Sequence, residues 1–389
     1  MIKIGLDASR NRSGGTKAHL IGILQEINPS KFGISEIHVW VYKSLSEKLP
    51  NKPWIIKHNP PELESHLIRQ LWWQYKKLRK EIKNFEIDIM LETTAAGIGN
   101  FHPTVVMSRD MLPFEKGEIN RYWPSFDFIR PYIMKRVQSR SMKRADGVIF
   151  LTNHASNSIQ GFTGKLKNFK IIPHGVGENF RNDNKLIKWK ENKKQEINCV
   201  YVSQIVRYKH QWHVVRAISL LQKKGINAKL TLIGSVTEKR ADKILEKEIK
   251  TSDPEGSFIR RFGYVDHSNI SHYITSSDIF IFASSCENMP NTLVEAMASG
   301  ALIACSDRGP MPEVLQDGGV YFNPEDPNSI AQALEVIISD AELRNKISTR
   351  ARELSSKYSW AQCSNDTFEY LIKIVETKII TKKNNNELL

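Results

Sequence analysis

The chain has 389 residues, 40% hydrophobic and 25% charged, with 56 Lys and Arg against 42 Asp and Glu for a formal charge of +14. That length exceeds one ordinary core and fits two domains of about 150–200 residues, and the composition argues against a disordered chain. Four scattered cysteines (Cys199, Cys286, Cys305 and Cys363) form no Cys-x-x-Cys pair, which argues against a zinc site or a disulfide framework and suits a reducing cytoplasm.

Residues 1–7 reach an acid after a few apolar residues and read as a first β-strand, not as a secretory leader. Further strands are predicted at 37–42, 87–91, 104–107, 147–151 and 169–172. The second half adds 199–202, 229–233, 258–262, 279–282, 302–305 and 320–322. Several have few polar interruptions, as parallel strands covered on both faces do. Helical patterns lie between them, such as Val214, Ile218 and Leu221 on one face, so the chain reads as α/β, built from βαβ units in doubly wound sheets. Its longest apolar run, 279–283, is far short of the roughly 20 residues a spanning helix needs.

A helix is expected around Leu67, Leu71, Tyr75, Leu78 and Ile82, with Trp72 and Trp73 beside the stripe and Arg69, Lys76, Lys77, Arg79, Lys80 and Lys83 around the rest. The stripe either packs on its own sheet, the preferred reading, or lies on a membrane surface. A second basic stretch at 130–144 supports peripheral contact with the inner face of the cytoplasmic membrane. The seam between domains is placed after Pro173-His174-Gly175-Val176, before a lysine-rich stretch at 181–194. The expected division is therefore 1–176, 177–370, and a C-terminal helix with a frayed tail at 371–389.

The most informative segment runs from Ser284 to Gly300. It follows an apolar strand, so its first residues form the loop at that strand's carboxyl end, where open α/β sheets bind ligands. A helix beginning near Thr292 and ending at Gly300 offers its N-terminal amides to a phosphate. Glu287 and Glu295 then stand beside a sugar phosphate; equally, Thr292-x-x-Glu295 is a capping box that needs no ligand. In the first half, Ser13-Gly14-Gly15-Thr16 opens a helix after the first strand, either to approach a ligand or as an ordinary turn. Asp110, after another strand, either takes a proton or caps the next turn.

These segments resemble glycosyltransferase family 4, whose pattern is Glu-x7-Glu running into "EAMASG". Ser284 to Gly300 fits it, with Glu287 and Glu295 as the two acids, as do residues 173–176, 201–209, 232–234, 262–265, 301–306, 309–313 and 318–324 in order. The resemblance implies two facing Rossmann-like domains with a cleft between them, the GT-B fold, and a retaining transfer. It assigns Glu287 to the donor sugar's hydroxyls, Glu295 to the ribose and Lys209 to the diphosphate. It places Gly14 and Gly15 near the phosphates, the backbone at Val265 near the base, and Asn288, Asn291 and Thr292 along the same loop. The family's arginine five positions before the lysine is Gln204 here, with Arg207 the stand-in. Arg109 replaces the histidine of the family's "His-Asp" loop. The chain contains no Asp-x-Asp, so Lys209 and helix dipoles are expected to neutralise the leaving group without a metal.

The expected substrates are a GDP-, UDP- or dTDP-sugar and a saccharide or undecaprenyl-diphosphate-linked acceptor, in O-antigen or capsule synthesis. The competing readings are a sugar-nucleotide epimerase of the same architecture, a catalytically dead binding subunit, and a basic nucleic-acid-binding protein. For the last, no RNA-recognition, homeodomain or zinc-finger pattern is present.

Overall fold

The computed structural model describes residues 1–99, 101–123, 128–181, 189 and 196–386. Most of the lysine-rich stretch at 181–194 and the last three residues of the expected tail lie outside the described residues. The chain divides into two compact units. Unit 1 holds 1–114, 122–175 and 359–389, and unit 2 holds 115–121 and 176–358.

In unit 1 the order is β1 (Ile2–Asp7), α1 (Gly14–Glu26), β2 (Ile34–Trp40), α2 (Lys43–Ser46), β3 (Ile55–His58), α3 (Leu67–Lys76), α4 (Leu78–Asn84), β4 (Ile89–Glu92), β5 (Thr104–Met107), α5 (Ile129–Arg144), β6 (Gly147–Phe150), α6 (Asn153–Thr163) and β7 (Phe169–Ile171). All seven strands are parallel, in the spatial order β3-β2-β1-β4-β5-β6-β7. The edge strand β3 is absent from the sequence reading. It offers only two apolar residues, lies between Pro53 and Pro60, and so carries no buried-strand signature.

The helix expected around residues 67–82 is broken near Lys77, and of the stripe read from the sequence only Leu78 and Ile82 are buried. Leu67 and Tyr75 are exposed, with Ile68 and Trp72, while Trp73 and Gln74 are buried and Leu78 and Ile82 pack inward from α4. A break between two short helices changes the phase of the apolar pattern, and a single 3.6-residue period cannot represent it.

In unit 2 the order is β8 (Ile197–Val202), α7 (Gln211–Lys223), β9 (Ala228–Ile233), α8 (Lys239–Ser252), β10 (Ile259–Phe262), α9 (His267–Ser276), β11 (Ile279–Phe282), α10 (Asn291–Ala298), β12 (Leu302–Ser306), α11 (Met311–Leu315), β13 (Val320–Phe322), α12 (Pro327–Ser339) and α13 (Ala341–Ser355). Its six parallel strands run β10-β9-β8-β11-β12-β13, so the order reverses between β8 and β11. Strand β11 is wholly buried and α10 nearly so, which accounts for their apolar sequences. Gly300 ends α10's segment at φ +67, a left-handed residue as expected of a terminator.

The last helix, α14 (Trp360–Asn386), begins before residue 371 and runs through the stretch expected to fray. It belongs to unit 1, so the chain leaves unit 2 at residue 358 and not at 370. Phe368 and Leu371 are fully buried, Ser364 Oγ donates to the Ile23 carbonyl of α1 at 2.8 Å, and Lys378 pairs with Asp146 at 2.6 Å. A closing helix packed against the first helix is a long-range contact that local patterning does not contain. Among the described residues, no helix is long and apolar enough to cross a membrane.

Candidate functional site

The reversal between β8 and β11 makes two loops diverge at the carboxyl edge of the unit 2 sheet, the arrangement in which open α/β sheets hold ligands. After β8 the chain makes one 3-10 turn, Arg207–Lys209, and then places His210 in the left-handed region at φ 52 before α7 begins. A non-glycine residue there is uncommon, and this one is held on its side chain. His210 is fully buried and its Nε2 bonds Ser285 Oγ at 2.9 Å, while the Ser285 amide donates to the Tyr208 carbonyl at 2.8 Å. Burial pushes the His210 imidazole down to about 3, so this is a neutral hydrogen bond.

The two loops are thus stitched together, and Lys209 Nζ meets Glu287 Oε1 in an ion pair whose side chains are 13% and 15% exposed. The ammonium also lies 5.3 Å from the Phe282 ring centroid, a contact that favours a cation.

Glu295 stands in the second turn of α10. The capping box does not form: the N-cap position is Pro290, no side chain caps the helix, and the Thr292 hydroxyl instead approaches the Val202 carbonyl at 3.5 Å. Glu295 Oε1 pairs with His267 Nε2 at 2.7 Å, and Oε2 is buried with no hydrogen-bond partner. Asn288 is buried in the β11 loop, Asn291 opens α10, and Val265 lies between β10 and α9, two residues before His267.

The hydrogen bond to Glu295 raises the His267 imidazole above its ordinary value. A group raised on folding adds stability that is complete below its unfolded pKa and is lost as pH rises through the folded one. NMR titration of His267 is therefore expected to give a midpoint above the usual imidazole value, and Glu295→Gln to lower it.

Arg207, the stand-in for the missing arginine, is held by groups of unit 2. Its guanidinium is buried, ion-paired with Glu238, and donates to the carbonyl of Arg121. Arg121 itself grips Glu325 at 2.7 Å and Glu118 at 2.8 Å. Sequence reasoning missed this network, together with His210 and His267, because its members come from separate segments and none carries a motif.

In unit 1, Gly14 opens α1 with Gly15 behind it, and no atom lies within 4 Å of where a Cβ on Gly14 would stand. Close packing therefore does not explain that glycine. Asp110 is solvent-accessible but set among enough protein that desolvation raises its carboxyl. It accepts from the Leu112 amide at 3.2 Å, and Gln138 approaches its other oxygen at 3.4 Å. Arg109 donates to His19, which burial keeps neutral; His19 in turn lies 4.8 Å from the His174 ring, between centroids. Thr152 caps α6 through the Ala155 amide.

Residues 183–354 match the family model described as Glycosyl transferases group 1. The O-antigen chain mannosyltransferase B of Escherichia coli is 26% identical over 126 residues, 32% of this chain and 33% of that protein, so the alignment spans about a third of the relative's own length. Among solved structures, the sucrose-phosphate synthase of Thermosynechococcus elongatus aligns over 97% of this chain and 100% of its own, with a TM-score of 0.74 at 16% identity. Anabaena HepE, in a crystal structure with UDP-glucose, aligns over 95% and 100%, with a TM-score of 0.69 and 16% identity. At such identities the structures speak for the fold alone, two Rossmann-like parallel-sheet domains of the GT-B kind. By the family model over residues 183–354 and by its architecture, this chain is similar to the group 1 glycosyltransferases, glycosyltransferase family 4.

Proposed function

We propose that the protein is a retaining hexosyltransferase that uses a nucleotide-sugar donor and a saccharide acceptor, lipid-linked, in surface-polysaccharide synthesis. The observation that carries this reading is the Lys209–Glu287 pair at the β8/β11 reversal, beside the N-terminus of α10 and the partnerless oxygen of Glu295. A cation and helix amides suit a diphosphate, while acids suit hydroxyls.

In the proposed reaction the donor diphosphate takes Lys209, Glu287 bonds the sugar hydroxyls, and Glu295 Oε2 accepts from the ribose. The bond from the anomeric carbon to the diphosphate oxygen breaks, and the acceptor oxygen bonds that carbon on the same face. The acceptor's proton passes to the departing diphosphate. The protein's part is positioning and charge stabilisation.

One lysine on a diphosphate is worth roughly 1.5–3 kcal/mol, and a micromolar complex needs about 8. Ribose, base and sugar must supply the remainder, which is consistent with both acids being used. The test is incubation with GDP-, UDP- and dTDP-hexoses, uridine donors first because HepE was crystallised with UDP-glucose. Nucleoside diphosphate release that depends on an undecaprenyl-diphosphate sugar is the expected result. Isomerisation of a donor without any acceptor would replace this reading with the epimerase.

A further inference from the structure

Parallel neighbours are ordinarily joined by a dozen or more residues that include a helix covering the strands. Between β4 and β5, the described residues of 93–103 contain none. That face is left to this loop and to α5, and between them lies a cavity of about 250 Å³ lined by residues of unit 1 alone.

Its floor is Glu92, the last residue of β4, which pairs in register with Asp7 of β1 at the point where the strand order of unit 1 reverses. Glu92 Oε2 is buried with no hydrogen-bond partner. The carboxyl reaches so far beneath the loop that a Cβ on Gly97 would stand 1.8 Å from that oxygen. Burial first, and Asp7 second, push this carboxyl up to about 8 against the opposing charge of Arg144. At neutral pH it is therefore mostly protonated and offers a donor and an acceptor instead of a charge.

The walls carry the hydroxyls of Thr104 and Ser141 and the ring of Phe101. Arg140 and Arg144, one turn apart on α5, bring two exposed cations to the mouth. A buried polar group with no partner is rare in a folded protein and calls for something to satisfy it.

We propose that this cavity is a binding site for a small anionic saccharide, its hydroxyls bonded to Glu92 and its phosphate or carboxylate group held by Arg140 and Arg144. The volume suits a single ring, since clefts for drug-sized ligands run to roughly 300–1,000 Å³. The site is independent of the donor residues in unit 2 and does not rest on the transfer reading.

The test is calorimetric titration of the full chain with glucose 6-phosphate, with glucose and inorganic phosphate as separate arms. The sugar phosphate is expected to bind at least about tenfold more tightly than either fragment, and the surface double variant Arg140→Ala/Arg144→Ala to weaken it by at least about tenfold. Glu92→Leu is expected to weaken it similarly. Glu92→Gln, which keeps a donor and an acceptor, should retain binding. Raising the pH from about 7 to 9 is expected to weaken binding to the wild type but not to Glu92→Gln. Glu287→Gln should leave it unchanged. No binding of glucose 6-phosphate, equal binding of phosphate alone, undiminished binding by the arginine double variant, or loss of binding in Glu287→Gln overturns the proposal.

Discussion

Glu287→Gln is expected to lower the transfer rate by roughly a hundredfold to a thousandfold without weakening the donor complex, and Lys209→Ala to weaken that complex. The asymmetry follows from the ion pair. With no donor bound, Lys209 and Glu287 neutralise each other inside a partly buried site. An incoming diphosphate must take the ammonium from the carboxylate. Glutamine removes the competing charge and leaves Lys209 to the anion, so affinity is held or improved while the acid's interaction with the sugar hydroxyls is lost.

Lys209→Ala does the reverse. It removes the cation and leaves Glu287 charged where a diphosphate should arrive, so affinity should fall by at least tenfold to a hundredfold, the range of one charge-assisted hydrogen bond. Calorimetry with the nucleoside diphosphate and initial rates at saturating donor separate the two effects. Equal losses of affinity in both variants would show that the pair acts as a structural unit and not as a charge exchanged with the substrate.

Glu295→Ala is expected to remove about half or more of the thermal stabilisation that a nucleotide confers. At a ligand concentration of 100 times the wild-type dissociation constant, binding adds about 2.7 kcal/mol. Loss of a charge-assisted contact to the ribose weakens binding roughly tenfold to a hundredfold, so the stabilisation falls to about 0.4–1.4 kcal/mol at the same concentration. His267→Ala is the control, because it takes away the partner of Glu295 Oε1 but leaves Oε2 available. It should keep most of the shift. A full shift in Glu295→Ala would leave the carboxylate with no role beyond its pair with His267. The capping role is already excluded, since Pro290 and not Thr292 precedes α10.

The second half was more legible than the first for a physical reason. The strand before Ser284, Ile279–Phe282, is fully apolar and buried, so Ser284 to Gly300 could be placed at a strand's carboxyl end from local pattern alone. The first half has a strand of four residues at an edge, a helix broken near Lys77 and a crossover without a helix among its described residues. Each of these disrupts the periodicity from which elements are read.

Local order was therefore within reach of the sequence by itself. Strand and helix alternation, the loop carrying Glu287, the helix carrying Glu295 and the turn carrying Lys209 all depend on residues near one another in the chain. Partnership was not. Lys209 and Glu287 are 78 positions apart, His267 and Glu295 are 28, and Arg207 and Arg121 are 86. Only the packing of parallel strands in an order unlike their order in the chain brings such groups within bonding distance. That packing gave Glu295 an imidazole instead of a helix end, gave Arg207 to Glu238, returned the last helix to unit 1, and left Glu92 beneath Gly97 without a partner.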